Sequence, residues 1–164
     1  MEGKGVTITC KHCGQTYELT ENGTLRSLDG ETRFSYVPDW YGWERECVHK
    51  ELENGSYRLD VAVDIGVLRD TKAIYMVGEG RLTHDIDGFR LVGCDGKLDY
   101  RQKPAASYSL YSDFYWYEIG DVICIGKPDM LYYCFPKNCG DIVAKTRLAA
   151  EELYQMTNRQ KVRV

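Results

Sequence analysis

From Tyr57 to Phe135 the chain reads as strands that double back through tight turns, and this constrains its fold more than any other feature. "YRLDVAVDIGVL" alternates Leu59, Val61, Val63 and Ile65 against Arg58, Asp60 and Asp64, the period of a strand with one face buried. "AIYMVGEGRLTHDI" meets "FRLVGC" across Asp87-Gly88, a strong hairpin signal. With the turn there, Ile86 pairs with Phe89, His84 with Leu91 and Leu82 with Gly93, all on one face. Asp95-Gly96 then leads into "KLDYRQ". After "KPAAS", the aromatic run "YSLYSDFYWYEIG" is followed by "DVICIG" and "MLYYCF", the last two joined by "KPD". Strands linked this way pair antiparallel, which excludes a doubly wound parallel sheet.

Helices flank this region. "DWYGWERECVHKELENG" carries Trp40, Trp43, Cys47, Val48 and Leu52 at helical spacing, with Asp39 as the expected cap and Asn54-Gly55 as the stop. Glu46, His49, Lys50 and Glu53 fall on its wet face. In "IVAKTRLAAEELYQM", Leu148, Ala149, Leu153 and Met156 suit a terminal amphipathic helix. Thr146 is its expected cap, with Ile142–Lys145 still read as strand. Thirteen Tyr and 16 Gly against four Pro lean the balance towards β structure.

The expected fold is mainly β (α+β). Residues 1–30 form a truncated zinc-ribbon-like knuckle and hairpin, residues 31–56 a loop and docking helix. Residues 57–164 form an antiparallel pleckstrin-homology-like barrel or sandwich with a closing C-terminal helix. A net charge of −4 argues against a nucleic-acid partner. No run approaches the roughly 20 apolar residues of a membrane span, and "MEGKGVTITC" lacks the apolar core of a signal peptide. Seven cysteines then read as thiols or metal ligands in a reducing compartment, and the cytoplasm is the expected location.

The sharpest chemical signal is Cys10-Lys11-His12-Cys13-Gly14. A two-residue gap lets both thiolates reach one ion, and the glycine lets the backbone turn tightly around it. A redox dithiol normally opens a helix in a βαβ setting. Here strand candidates "QTYELT" and "TLRSL" follow, joined by a turn at Asn22-Gly23, which is the setting of a zinc ribbon. Such a ribbon needs a second pair of ligands. The nine residues before Cys10 hold neither Cys nor His, and the next cysteine is Cys47. The missing pair is therefore expected upstream, in a longer protein, with Zn bound there and the knuckle empty or partly filled in this segment alone. A metal-free, vestigial knuckle is the alternative. A composite site of Cys10, Cys13, Cys134 and Cys139 is conceivable, but free Cys is more often a small buried hydrophobe.

No catalytic set emerges. His12 lies in the knuckle, His49 on the wet face of the first helix, and His84 faces apolar neighbours, half-buried. The sequence contains no P-loop and no G-x-G-x-x-G. Arg101 and Lys103, with Arg69 and Lys72, are candidates for a basic rim facing lipid headgroups, against the plainer reading of solvated surface. In "YSDFYWYEI", Phe114 and Trp116 share one face, with Tyr111, Tyr115 and Tyr117 placed differently. The tyrosines left outside the core offer a partner surface.

"CKHCG", "LDGETRFSYVPDWYGWER", "GEGRLTHDIDGF" and "AKTRLAAEELY" together resemble the C-terminal region of bacterial phospholipid/glycerol acyltransferase-related proteins, of the 1-acyl-sn-glycerol-3-phosphate acyltransferase type. The resemblance covers nearly the whole chain. It implies an acyltransferase domain upstream, then paired knuckles, then this region. Such enzymes use an H-x-x-x-x-D motif, whose His acts as base on the acceptor hydroxyl. Five positions after His12, His49 and His84 stand Tyr17, Asn54 and Phe89, so no catalytic residue carries over. "GETRF" matches the family's Glu-Gly-x-Arg segment only superficially. Cys10 and Cys13 carry over, as half of a metal knuckle. The expectation is a non-catalytic accessory or regulatory domain in phospholipid biosynthesis, partnered by its own upstream catalytic domain and by the inner membrane surface. The alternative is a lipid-headgroup- or protein-binding pleckstrin-like module unconnected with acyl transfer.

Overall fold

The computed structural model describes residues 2–69, 73–108, 110–116, 119–139 and 142–162, the side chains at 69, 113–116 and 160–162 excepted. The chain forms two compact units, Met1–Cys47 and Val48–Val164.

The first unit holds a four-stranded antiparallel meander of β1 (Glu2–Lys4), β2 (Thr7–Thr9), β3 (Thr16–Leu19) and β4 (Leu25–Ser27), in that order. The hairpin expected after the knuckle is β3–β4. Gly23 turns it with φ +77°, and the Thr20 and Thr24 hydroxyls meet at 2.7 Å across its mouth. β1 and β2 were not expected, because three-residue strands carry almost no periodicity. The small core is aromatic. Tyr17 and Trp40 are buried with Leu25, the Phe34 ring stacks on Trp40 at 5.4 Å and 16°, and Tyr17 meets Trp40 at 4.9 Å. Edge and stacked contacts of this kind add to the area that such rings bury.

Helix α1 spans Val37–Glu53. Asp39 does not cap it as expected but lies in the first turn, where its Oδ2 accepts the Tyr36 backbone N–H at 3.0 Å. This is the reaching-back half of a capping box. Pro38 also fits the first turn, where its missing N–H has no partner to lose. The Asn54-Gly55 stop stands as expected, with Gly55 at φ +73°.

The second unit is a seven-stranded antiparallel sheet, curled into a half-barrel, in the order β8-β7-β6-β5-β11-β10-β9. Its strands are β5 (Leu59–Arg69), β6 (Ala73–Asp85), β7 (Gly88–Gly93), β8 (Leu98–Gln102), β9 (Tyr111–Trp116), β10 (Gly120–Lys127) and β11 (Met130–Pro136). A 3₁₀ turn, Pro104–Ala106, links the halves. The meander β9–β10–β11 is as the sequence suggested, with Lys127 opposite Met130.

The β6–β7 register differs from expectation. Asp85 faces Gly88, His84 faces Phe89, Leu82 faces Leu91 and Gly80 faces Gly93, so the loop is Ile86-Asp87. Two local effects set it: the Asp87 N–H donates to Asp85 Oδ1 at 2.9 Å, and Gly88 takes φ +101°. A shift of two keeps each paired residue on its face, so Leu82, His84, Phe89 and Leu91 point inward as expected, whereas Ile86 falls in the loop and is exposed. Leu59, Val63, Ile65, Leu82, Phe89, Leu91, Ile123, Ile125 and Cys134 make the core.

Helix α2 runs over Ile142–Val162 and lies against β9, β10 and the 3₁₀ turn. It starts earlier than expected: Ile142–Lys145 are helical, and Thr146 is a buried interior residue rather than a cap. Val143, Ala150 and Leu153 recur at helical spacing on its buried face, together with Ala149. Among the described residues, no helix is long and apolar enough to cross a membrane.

Candidate functional site

The Cys10–Gly14 segment is the loop between β2 and β3. It is closed by Cys10 N–H donating to the Gln15 carbonyl at 2.9 Å and Gly14 N–H donating to the Cys10 carbonyl at 2.8 Å. Gly14 sits at φ +75°, a conformation that a side chain disfavours. Burial would raise the Cys10 thiol's pKa. The backbone N–H groups of Cys13 and His12 and the Cys13 thiol outweigh it and hold the group below its ordinary range. Donors aimed at a sulfur stabilise its thiolate, the form that binds metal. Cys10 is half-buried and Cys13 exposed, so one sulfur anchors the loop and the other faces outward.

β1 begins at this same place. Glu2 is opposite Thr9 in the β1–β2 ladder, and its carboxylate lies 3.6 Å from Lys11 Nζ.

The composite four-cysteine site would need Cys134 as a ligand. Cys134 is fully buried in the core of the second unit, and burial pushes its thiol up, away from the ligating form. Among the described residues, no group of three or more His, Cys, Asp or Glu is placed to hold a metal ion. Cys10 and Cys13 stand as a pair.

Two of the histidines make side-chain contacts within the fold. His49 does not project freely from α1: its Nδ1 lies 3.1 Å from Glu152 Oε2 on α2, and its Nε2 lies 3.3 Å from Glu53. His84 is fully rather than half buried. Its ring stacks on Phe89 with centroids 3.7 Å apart and planes at 8°, and Nδ1 lies 2.9 Å from the Tyr57 hydroxyl. Thr146 contributes a further hydrogen bond to that hydroxyl. Burial lowers the imidazole pKa to about 3, so the ring is neutral at neutral pH and cannot shuttle protons there.

The basic residues fall apart. Arg69 pairs with Ala73 at one end of β6, whereas Arg101 pairs with Arg90, which pairs with Thr83 ten residues further along. At a strand's rise, that is roughly 30 Å. Lys72 lies outside the described residues, as do Tyr117 and the side chains of Phe114, Tyr115 and Trp116. Tyr111 is exposed, and Tyr108 is exposed while meeting Tyr154 edge-on at 5.1 Å.

One feature of the second unit gave no signal in the sequence. Where β7 leaves β6, the residues Val77, Gly78, Glu79, Cys94, Asp95 and Lys97 line an open hollow of about 380 Å³. Cys94 and Asp95 turn the chain there with φ +54° and +55°, the pattern of a type I′ turn. Nearby, Lys137 Nζ lies 2.8 Å from both Asp64 and Glu79, tying β11's exit to β5 and β6.

No family model matches this sequence, and no curated protein matches it.

Proposed function

We propose that this chain is the non-catalytic C-terminal accessory domain of a 1-acylglycerol-3-phosphate O-acyltransferase-related protein, held to the part that precedes it by a shared zinc ribbon. The observation that supports this reading is the Cys10–Gly14 loop, where the Cys10 and Cys13 thiols meet and the Cys13 and His12 N–H groups favour the Cys10 thiolate. Two thiolates arriving there complete a tetrahedral four-thiolate site, in which Zn²⁺ contributes folding energy and no chemistry. The second unit's strand order, an antiparallel half-barrel with a C-terminal helix against it, supports a pleckstrin-like β-domain. Its role is to hold or regulate the catalytic domain at the cytoplasmic membrane surface. The link to acyl transfer rests on the sequence resemblance.

Three results test this. The reading frame ahead of the segment should carry C-x-x-C close to its start and H-x-x-x-x-D further back. Co²⁺ added to the protein with its preceding segment should give the intense visible bands of tetrahedral thiolate ligation, lost in Cys13→Ser. The chain alone should not acylate lysophosphatidate; measurable turnover would overturn the proposal.

A further inference from the structure

The β2–β3 loop brings two sulfurs together. The Cys10 sulfur accepts the backbone N–H groups of Cys13 and His12 and meets the Cys13 thiol, side chain to side chain. Among the described residues, no third His, Cys, Asp or Glu is placed to share an ion with them. The backbone that carries the pair is already closed on itself. Cys10 N–H donates to the Gln15 carbonyl and Gly14 N–H to the Cys10 carbonyl, so joining the sulfurs asks little further ordering of the chain.

Contact and access coincide in this pair. Cys10 is half-buried and Cys13 is exposed. Cys124 and Cys134 show the contrast. Cys134 stands opposite Ile123 and Cys124 opposite Tyr133, so the two side chains leave opposite faces of the β10–β11 ladder, and both are buried. Many redox dithiols sit at a helix N-terminus. Here the loop's own N–H groups face Cys10 instead.

We propose that Cys10 and Cys13 are a reversible dithiol–disulfide pair, oxidised by a small-molecule disulfide of the glutathione type. Exposed Cys13 meets the oxidant first. Its sulfur attacks one sulfur of the small disulfide, whose S–S bond breaks; one small thiol leaves with the Cys13 proton, and a mixed disulfide remains on Cys13. The Cys10 sulfur, already in contact, then attacks the Cys13 sulfur. The mixed bond breaks, the Cys10–Cys13 bond forms, and the second small thiol leaves with the Cys10 proton. Two electrons pass from the protein pair to the small disulfide, and reduction is the same exchange run backwards. A disulfide offers no thiolate to a metal ion, so oxidation also removes the pair as ligands. That consequence, unlike the disulfide itself, rests on the zinc reading above.

Peptide mass spectrometry of the chain after incubation in mixtures of reduced and oxidised glutathione tests this. Acid quenching and alkylation of the remaining thiols fix the state of each cysteine. As the oxidised share rises, the peptide holding Cys10 and Cys13 should pass from double alkylation to the loss of two hydrogens. It should return when reduced glutathione is restored. Cys10→Ser should instead accumulate a lasting glutathione adduct on Cys13, because the thiol that displaces it is gone. A wild-type pair that stays doubly alkylated in oxidised glutathione alone overturns the inference. So does a glutathione adduct that persists in wild type as it does in Cys10→Ser. The wild-type readings stand even if the variant fails to fold. Zn²⁺ added before the oxidant should slow the disulfide. Equal rates with and without Zn²⁺ uphold the dithiol pair and count against the zinc reading. Zn²⁺ protection from alkylation of a pair that never oxidises overturns the inference and leaves the zinc reading standing.

Discussion

The Tyr57 hydroxyl lies 2.9 Å from His84 Nδ1, with the imidazole stacked face to face on Phe89. Both polar residues are buried, and among the described residues His84 Nε2 has no hydrogen-bond partner. A neutral ring is tolerated in such a place, whereas a charged one is not. Burial therefore sets the folded pKa near 3, against 6.5 for an exposed imidazole. Between those values the unfolded chain binds a proton that the folded chain refuses. Stability is unaffected by this group above about pH 6.5 and falls as the pH drops towards 3, by about 1.4 kcal/mol per pH unit. Urea unfolding at pH 6.5 and pH 5 should show wild type losing roughly 2 kcal/mol more than His84→Phe. Equal losses would refute a neutral buried His84.

Tyr57→Phe isolates the other end of the bond. It removes the hydroxyl shared by His84 and Thr146 while keeping the ring. Polar atoms on both neighbours then lack a partner in the interior, and the expected loss is about 1–3 kcal/mol. In Tyr57→Phe/His84→Phe the loss should be smaller than the sum of the single losses, because the stranded nitrogen is gone. Additive losses in chemical denaturation would mean that the two residues do not interact.

How far the sequence could be read follows from such contacts. The two-residue period put His84, Leu82, Phe89 and Leu91 on one face, and the structure keeps them there. The register was not legible, because it depends on what Gly88 meets. A Cβ at Gly88 would run into the Gln102 carbonyl of β8, a strand that the local pattern does not see. The start of α2 was missed because Ile142-Val143 looks like strand by propensity, and only the burial of Val143 beside Ala150 reveals the helical face. The tight loop at Cys10–Gly14 was legible from the sequence, with Gly14 at its positive φ. Its neighbour β1 was not, and neither was the short run over which β7 accompanies β6, since where a ladder stops depends on both strands.

Gly80 and Gly93 face one another across β6 and β7, and Ile65 fills the space above both. A Cβ on either would stand 2.7 Å from Ile65 Cδ1. Gly93→Ala also meets the Glu79 carbonyl at 2.6 Å, so the cost should lie near the upper end of the 1–3 kcal/mol typical of overpacking. Ile65→Val removes the methyl in the way and on its own costs about 0.5–1.5 kcal/mol. Together they should be less destabilising than their sum, by at least about 0.5 kcal/mol. Thermal melts of the four proteins decide it, and strict additivity would place the strain in the backbone alone.

Cysteine reactivity should divide the chain's thiols by environment. Burial raises the Cys10 thiol, but the Cys13 and His12 N–H groups acting with the Cys13 thiol hold it below the ordinary range. Burial raises Cys134, next to the Cys124 sulfur, and more mildly raises half-buried Cys139. The thiolate is the nucleophile, so rates follow thiolate fraction and access. Brief iodoacetamide treatment at pH 7, read by peptide mass spectrometry, should label Cys10 and exposed Cys13 first, Cys139 slowly, and Cys134 only after unfolding. Zn²⁺ should protect Cys10 and Cys13 together and leave Cys139 unchanged. Labelling of native Cys134 at a rate near that of Cys13 would contradict its place in the core, and protection of Cys139 by Zn²⁺ would reinstate a shared site.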